Sequence, residues 1–335
     1  MNDLTISVVV ASYNDRETLQ DTLDSVLNQS IEPIEVLVVD DAGPAPAAEI
    51  LGDGYPSVRI LRHTMNKSIG GVRNTGFAET TGDAILFLYG DDILSPAFLE
   101  RTSQVLAAEP SAAVCFSGFD RCYSEDVKNV TGALKESGAK SILKNGSDAA
   151  RLYLTNTGLF ICSFALFRRS DLAKTMENGE LFHEDLQSIE YYEFFIRFLA
   201  VNDAVIVDAP LSIYRLQSGR LSQNFLNSWS NRLKGLERLL ASPASRSWEP
   251  RLHQKVKQHR YSAVRTLARI MAQSGRTGQA LRLLGGDLLS HPSPKTLMQL
   301  VFILLHLDRR ARRAVATDHR TPGTTLLRNA MMPEP

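Results

Sequence analysis

Short runs of mostly apolar residues, rich in β-branched side chains, recur through the first two thirds of the chain and predict strands. They occupy residues 6–12, 35–41, 58–63, 84–90, 112–119 and 204–210. Several are apolar at successive rather than alternate positions, which is typical of a parallel sheet covered by helices on both faces. Between the first two runs, apolar residues recur at helical spacing, and Asn14 and Glu17 are spaced as a capping box at the start of a helix. This order predicts a β-α-β unit.

From about residue 226 the pattern changes to leucine, alanine and arginine at helical spacing, without strand-like runs. Residues 232–241, 259–275 and 277–294 predict three helices. The next segment, 296–314, has an apolar part too short to cross a bilayer, followed by Arg309, Arg310, Arg312 and Arg313. Two interpretations stay open for it: a core helix with a solvated basic end, or a helix that binds an anionic membrane surface.

Composition and charge support two parts of different character. The chain of 335 residues has 44% hydrophobic and 22% charged residues, as in a soluble globular protein, and its length favours a large domain plus a smaller one. Residues 1–225 hold 18 Lys and Arg against 31 Asp and Glu, whereas residues 226–335 hold 19 against 6. Three irregularly spaced cysteines and an N-terminus without a basic signal region favour a cytoplasmic protein.

Polar residues follow three of the predicted strands. Tyr13 follows the first strand, Asp40 and Asp41 end the second, and Asp91 and Asp92 follow the strand over residues 84–90. Because the carboxyl ends of parallel strands form the ligand edge of an open α/β sheet, we expect these side chains to meet there. Paired carboxylates suit Mg²⁺ or Mn²⁺, which completes its coordination with substrate phosphates, so the implied ligand is a nucleotide diphosphate.

Four motifs together resemble glycosyltransferase family 2, the inverting sugar transferases of the GT-A fold. They are VVVASYN, EVLVVDD, NKSIGGVRNTG and YGDDILSP, in the family's order and at its spacing, and the resemblance extends to about residue 225. It implies an α/β fold of the GT-A type, with a mostly parallel sheet flanked by helices. We therefore predict a GT-A domain over 1–225, a basic all-α module over 226–320 and an unstructured tail over 321–335.

The resemblance also implies roles for individual residues. By position, Tyr13 would stack on the uracil, Asp41 would bind the ring NH, and Arg73 would support the nucleotide pocket. Asp91 would reach the ribose side, and Asp92, with Asp91 beside it, would bind the Mn²⁺ or Mg²⁺ ion.

Two departures from the family pattern affect the donor site. Tyr89 occupies the place of the first Asp of D-x-D-D, so fewer protein carboxylates would hold the metal. Gln217 replaces the histidine of a loop that covers the diphosphate, and Arg215 and Arg220 are expected to take over that function by their charge.

The catalytic base has two candidates. The family places it in an E-D pair a fixed distance before an arginine. Alignment on EFFIRF puts Glu190 and Tyr191 in that pair, without the Asp, whereas the literal pair Glu184-Asp185 lies six residues further from Arg197. The base is thus Glu190 or Asp185.

The resulting hypothesis is a metal-dependent glycosyltransferase that moves a sugar from a UDP-sugar or a related donor to a growing, lipid-linked surface glycan. The basic module would contact the inner face of the membrane. The alternative is an inactive relative that binds nucleotide as a scaffold in a glycan assembly complex. The first strand is not followed by G-x-G-x-x-G, which argues against a dehydrogenase. Trp229 and Trp248 are not interleaved with the basic residues, which argues against nucleic-acid binding.

Overall fold

The computed structural model describes residues 4–123, 141–158, 160–187, 189–216 and 225–305. Its described residues form two compact units, one up to residue 216 and one from residue 225 onwards. The domain boundary at 225 stays a prediction, and the predicted tail lies outside the described residues.

The first four strands form the parallel half of the sheet, in the order β3-β2-β1-β4. They are β1 (Ile6–Ser12), β2 (Glu35–Asp40), β3 (Val58–Arg62) and β4 (Ala84–Tyr89), connected by α1 (Leu19–Leu27), α2 (Ala47–Leu51) and α3 (Ser68–Glu79). Every residue of β1 is buried, as its unbroken apolar run predicts. Ser12 is level with Asp40, and Ala11 with Tyr89, so these three strands end together.

The second half of the sheet is mixed. It contains β5 (Ile93–Leu94), β6 (Ala112–Tyr123), β7 (Ser141–Lys144), β8 (Ala165–Arg168) and β9 (Asp203–Leu216), with α4 (Phe98–Ala108), α5 (Gly146–Thr155), α6 (Arg169–Thr175) and α7 (Glu190–Leu199). In the sheet, to which the described residues contribute nine strands, β8 lies antiparallel between β4 and β6. The sheet is therefore mixed rather than mostly parallel. β5, β7 and β8 are missing from the prediction because strands of two to four residues show no clear periodicity.

The predicted capping box at Asn14 is wrong. α1 begins at Leu19, and the backbone NH groups of Thr18 and Leu19 both donate to the carbonyl of Asp15. The Thr18 hydroxyl donates instead to the carbonyl of Gly90, 2.8 Å away. The turn before α1 is thus bound to the loop after β4.

A glycine lets α3 pack directly on the sheet. A β carbon at Gly76 would lie 2.4 Å from a methyl carbon of Val9 in β1, closer than side-chain atoms approach. This contact holds the helix against the sheet, and its N-terminal end follows the loop that leaves β3.

The second unit is helical, as its spacing predicts. It contains α8 (Phe225–Ala241), α9 (Pro250–Gln273), α10 (Thr277–Ser290) and α11 (Pro294–Leu304). The carboxylate of Glu249 caps α9 by accepting from the backbone NH groups of Arg251 and Leu252. Among the helices in the described ranges, none is both long and apolar enough to cross a bilayer.

Candidate functional site

The carboxyl ends of β1, β2 and β4 bring the predicted donor-site residues to one edge of the sheet. The backbone pairing continues one residue beyond the strands, because Asp41 NH donates to Ser12 O and Gly90 NH donates to Ala11 O. Tyr13, Asp41 and Asp91 therefore leave the sheet from adjacent positions.

Asp41 is buried at this edge and holds two neighbouring segments. Its Oδ1 lies 2.7 Å from His63 Nδ1 and accepts from the backbone NH of Lys67 at 2.8 Å. The other ring nitrogen of His63 lies 2.9 Å from the Thr75 hydroxyl of α3. Asp41 thereby orders the loop that leads from β3 into α3. His63 is a site residue that the sequence analysis missed, although its position directly after β3 is a signal for it.

Tyr13 presents its ring to solvent, with 49% of the residue exposed. Its backbone NH donates to the Asp15 carboxylate at 3.0 Å, and its carbonyl contacts the loop after β2. Only glycine fits at position 43, since a β carbon there would lie 1.3 Å from the Tyr13 carbonyl oxygen. The close approach of the two loops fixes the backbone beneath the exposed ring.

The carboxylate pair combines a half-buried Asp91 with a fully buried Asp92. Asp92 Oδ1 accepts from the backbone NH of Arg215 at 3.4 Å. Asp92 Oδ2 is buried and has no hydrogen-bond partner among the described residues. Burial raises the pKa of Asp92 well above its usual value, and the neighbouring charge of Asp91 raises it further. The pair is therefore a place where a bound cation would stabilise the ionised form.

Arg215 bridges this pair to α1. Its Nε donates to the Asp91 carbonyl at 2.9 Å, and its Nη2 donates to the Asp21 carboxylate at 3.1 Å. Only 3% of its side chain is exposed. The guanidinium group thus holds the Asp91–Asp92 turn in place. Arg220, predicted to act beside it, and Gln217 lie outside the described residues.

Arg73, Tyr89 and Glu190 form a buried polar cluster at the same edge. Arg73 Nη1 donates to Glu190 Oε1 at 3.3 Å, and Nη2 donates to the Tyr89 hydroxyl at 2.9 Å. Burial raises the pKa of Glu190, although the charge of Arg73 opposes the shift. Burial also raises the pKa of Tyr89, so its hydroxyl remains protonated. Glu190 Oε2, like Asp92 Oδ2, is buried without a hydrogen-bond partner in the described part of the chain.

Asn74, the neighbour of Arg73 on α3, fixes the segment that precedes Glu190. Its Oδ1 accepts from the backbone NH groups of Leu181 and Phe182, and its Nδ2 donates to the Phe182 carbonyl and to Glu184. The motif NKSIGGVRNTG therefore has a structural function beyond the nucleotide pocket, because two adjacent residues of it position the segment that supplies the candidate bases.

The two candidate bases lie in different surroundings. Glu190 opens α7 and is 1% exposed, whereas Asp185 is solvent-exposed in the turns before that helix. Tyr191, directly after Glu190, takes the position of the usual Asp. Burial raises the pKa of Tyr214, and the charges of Asp92, Asp91 and Tyr191 act in the same direction on it.

Among the described residues, no group of three or more His, Cys, Asp or Glu side chains is arranged so that it could hold a metal ion. Protein ligands alone therefore form no metal site within these ranges. The Asp91–Asp92 pair with the orphaned Oδ2 fits a cation that takes its remaining ligands from a bound diphosphate. The metal held by few protein carboxylates, expected because Tyr89 replaces an Asp, stays a prediction.

Comparison with known proteins supports the resemblance found in the motifs. The model of the family described as Glycosyl transferase family 2 matches residues 7–175, just over half of the chain. The chain is 29% identical over 114 residues to the putative glycosyltransferase EpsH of Bacillus subtilis, covering 33% of each protein. It is 35% identical over 97 residues to the succinoglycan biosynthesis protein ExoO of Rhizobium meliloti, covering 29% of this chain and 28% of ExoO. The chain thus matches about a third of the length of such curated relatives.

Solved structures confirm the predicted GT-A type fold. The crystal structure of S. aureus TarS 1–349 superposes with a TM-score of 0.60 at 14% identity, covering 91% of both chains. TarS 1–349 in complex with UDP-GlcNAc superposes with a TM-score of 0.56 at 15% identity, covering 90% of this chain and 80% of TarS. At this level of identity the likeness concerns the fold alone.

Proposed function

The chain belongs to glycosyl transferase family 2, and from this premise we propose that it is a metal-dependent inverting glycosyltransferase. The proposed donor is a nucleotide diphosphate sugar, most simply a UDP-sugar. The proposed acceptor is a hydroxyl group of a growing, lipid-linked surface glycan. One observation carries the proposal: Asp91 and Asp92 lie together at the ligand edge, and Asp92 Oδ2 is buried without a hydrogen-bond partner among the described residues.

The relatives support the choice of substrates. TarS, which has the same fold, has been crystallised in complex with UDP and with UDP-GlcNAc. ExoO is named for the biosynthesis of succinoglycan, a polysaccharide. A cytoplasmic donor and a lipid-linked acceptor would meet at the inner face of the membrane, and the basic helical unit would contact that surface.

The donor would lie along the strand ends. The exposed ring of Tyr13 is available to stack on the uracil, and Asp41, ordered by His63, would accept from the ring NH. Asp91 would face the ribose. Asp92, with Asp91, would hold Mn²⁺ or Mg²⁺, and the ion would supply positive charge to stabilise the departing diphosphate.

The transfer needs a carboxylate to accept the acceptor proton. The acceptor oxygen forms a bond to the anomeric carbon on the face opposite the diphosphate, the bond from that carbon to the diphosphate breaks, and the hydroxyl proton moves to Glu190 or Asp185. The raised pKa of Glu190 suits proton acceptance, but the side chain is buried against Arg73. Asp185 is accessible from solvent. Both residues therefore remain candidates for the base.

The two arginines near the end of β9 would contribute differently. Arg220 is proposed to bind the diphosphate by charge. Arg215, also expected there, is buried between the Asp91 carbonyl and Asp21, and these contacts support a role in positioning the carboxylate pair for the cation and its diphosphate.

A nucleotide-binding scaffold without turnover is the second candidate function. It is favoured by the burial of Glu190 against Arg73 and by Tyr191 in the position of the usual Asp. A scaffold would bind donor and metal but release no UDP from the donor.

Calorimetric titration tests the leading proposal. UDP, GDP and dTDP are titrated into the protein with Mn²⁺ and then with chelator, and UDP-sugar turnover is measured in parallel. We expect UDP to bind only with metal, and Asp92→Asn to abolish that binding. Asp53→Asn, an exposed Asp in the turn after α2, serves as the control and should bind as the wild type does. Metal-independent UDP binding, or unchanged binding by Asp92→Asn, would remove Asp92 from the metal site.

A further inference from the structure

One side of the last described helix, α11, is apolar and uncovered. The residues that form this apolar face are between 41% and 60% exposed and comprise Leu297, Met298, Val301, Phe302, Leu304 and, directly after the helix, Leu305. Leu289, at the end of the preceding helix α10, is 88% exposed. On α11 the residues of this face recur at intervals of one, three and four residues, so they share one side of the helix. Thr296 and Ile303 lie on the opposite side and are buried.

The concentration of these residues is unusual for a surface. The described ranges contain 16 exposed large hydrophobic residues, and seven of them fall between residues 289 and 305. The others are spread over the preceding residues from Tyr13 to Phe225. Single exposed apolar residues are ordinary on soluble proteins, whereas a contiguous group indicates a surface that binds something.

Cations border the apolar face. Lys295 is exposed one turn before Met298 on α11, and Arg282 is exposed two turns before Leu289 on α10. The described residues of the second unit, 225–305, contain 13 Lys and Arg against 3 Asp and Glu. In the sequence, four arginines follow Leu305 between positions 309 and 313. An apolar strip bordered by positive charge matches a bilayer surface with anionic headgroups.

Two other occupants match the charge less well. A symmetric contact between two copies of the chain would bring two surfaces of the same positive character together. Residues 306–335 of the same chain contain 6 Arg against 3 Asp and Glu, so their net charge is also positive. Only an anionic occupant complements both the apolar strip and its border.

We propose that the apolar face of α11, with Leu289, binds the surface of an anionic phospholipid bilayer. The apolar side chains enter the boundary between headgroups and acyl chains, and the bordering cations bind lipid phosphates. The proposal rests on the proposed function insofar as the lipid-linked acceptor lies in that surface. The proposed membrane binding is a property of the helical unit. Vesicle binding is therefore measured without donor or acceptor.

Vesicle flotation tests it with the full chain. Vesicles of phosphatidylcholine alone are compared with vesicles that contain a quarter phosphatidylglycerol, for the wild type and for Leu297→Ser/Val301→Ser/Phe302→Ser. The control Ile34→Ser/Met65→Ser/Val201→Ser removes three exposed apolar side chains of the first unit. We expect the wild type and the control to float only with anionic vesicles, and the face variant to lose at least about tenfold in vesicle affinity. Equal flotation of the face variant and the wild type, or no flotation of the wild type, would overturn the proposal.

A tryptophan at the face identifies the occupant. The fluorescence of the tryptophan introduced by Phe302→Trp is obtained by subtracting the wild-type emission spectrum. Its emission maximum should shift to shorter wavelength on addition of anionic vesicles. A tryptophan emission that is already blue-shifted without vesicles would show that the chain itself or a second copy covers the face, and light scattering would distinguish these two. UDP binding with Mn²⁺ is measured on the face variant as well. If the face variant still binds UDP but no longer floats, the membrane-binding surface is separate from the donor site. If the wild type does not bind UDP with Mn²⁺, that result would instead refute the proposed function.

Discussion

Replacement of Arg73 by methionine should strongly destabilise the first unit. The substitution leaves Glu190, which is 1% exposed, without the guanidinium group that now lies 3.3 Å from its carboxylate. Removal of one partner from a buried ion pair costs about 3–5 kcal/mol, because the other charge remains buried. We expect this loss in the free energy of unfolding at pH 8.

The loss should depend on pH. The pKa of Glu190 is already raised above its usual value by burial, and Arg73 limits the rise. Without Arg73 the pKa rises further. A raised pKa in the folded state means that the stability contributed by the bound proton is complete below the unfolded value and is lost as pH rises through the folded value. The penalty of Arg73→Met should therefore be smaller at pH 5 than at pH 8.

Urea denaturation followed by circular dichroism measures both quantities. Tryptophan fluorescence is unsuitable, since Trp229 and Trp248 both lie in the second unit. The matched control is Arg59→Met. Arg59 also pairs with a carboxylate, that of Glu79 at 3.0 Å, but the two side chains are 49% and 44% exposed. The loss in the free energy of unfolding for this variant should therefore be below about 1 kcal/mol. A second replacement, Glu190→Gln in the Arg73→Met background, should recover part of the loss. Equal costs for the two arginine variants, or a penalty that does not change with pH, would refute the reasoning.

Three further predictions concern the site and its support. Of Glu190→Gln and Asp185→Asn, the variant that loses transfer while UDP binding persists identifies the base, and full activity in both would exclude both residues. Arg215→Met should weaken Mn²⁺-dependent UDP binding about tenfold and Asp21→Asn about threefold, as expected from the loss of two hydrogen bonds and of one, at about 0.5–1.5 kcal/mol each. Wild-type UDP affinity of Asp21→Asn, measured by calorimetry, would contradict the positioning role of Arg215. Gly76→Ala should reduce the free energy of unfolding by about 1–3 kcal/mol through overpacking against β1, and denaturation at wild-type urea concentrations would show that the helix can move away.

The hydrophobic pattern by itself determined the parallel half of the fold and its ligand edge. Runs that are apolar at successive positions are typical of strands buried on both faces of a sheet, and the polar residues after such strands emerge at the strand ends. For this reason Tyr13, Asp41 and Asp91 could be assigned to one edge before the structure was known. Helical spacing likewise predicted the C-terminal helices.

Contacts between distant residues were decided only by the tertiary structure. Arg73 meets Glu190 across 117 positions, and Arg215 meets Asp21 across 194. No local pattern encodes such pairs, because they depend on how strands and helices pack. The same holds for the hydrogen bond from Thr18, at the start of α1, to Gly90, and for the insertion of β8 between two longer strands. The sequence of α11 showed an apolar helix, but which of its sides stays uncovered depends on how it packs within the helical unit, and that packing determines what the surface can bind.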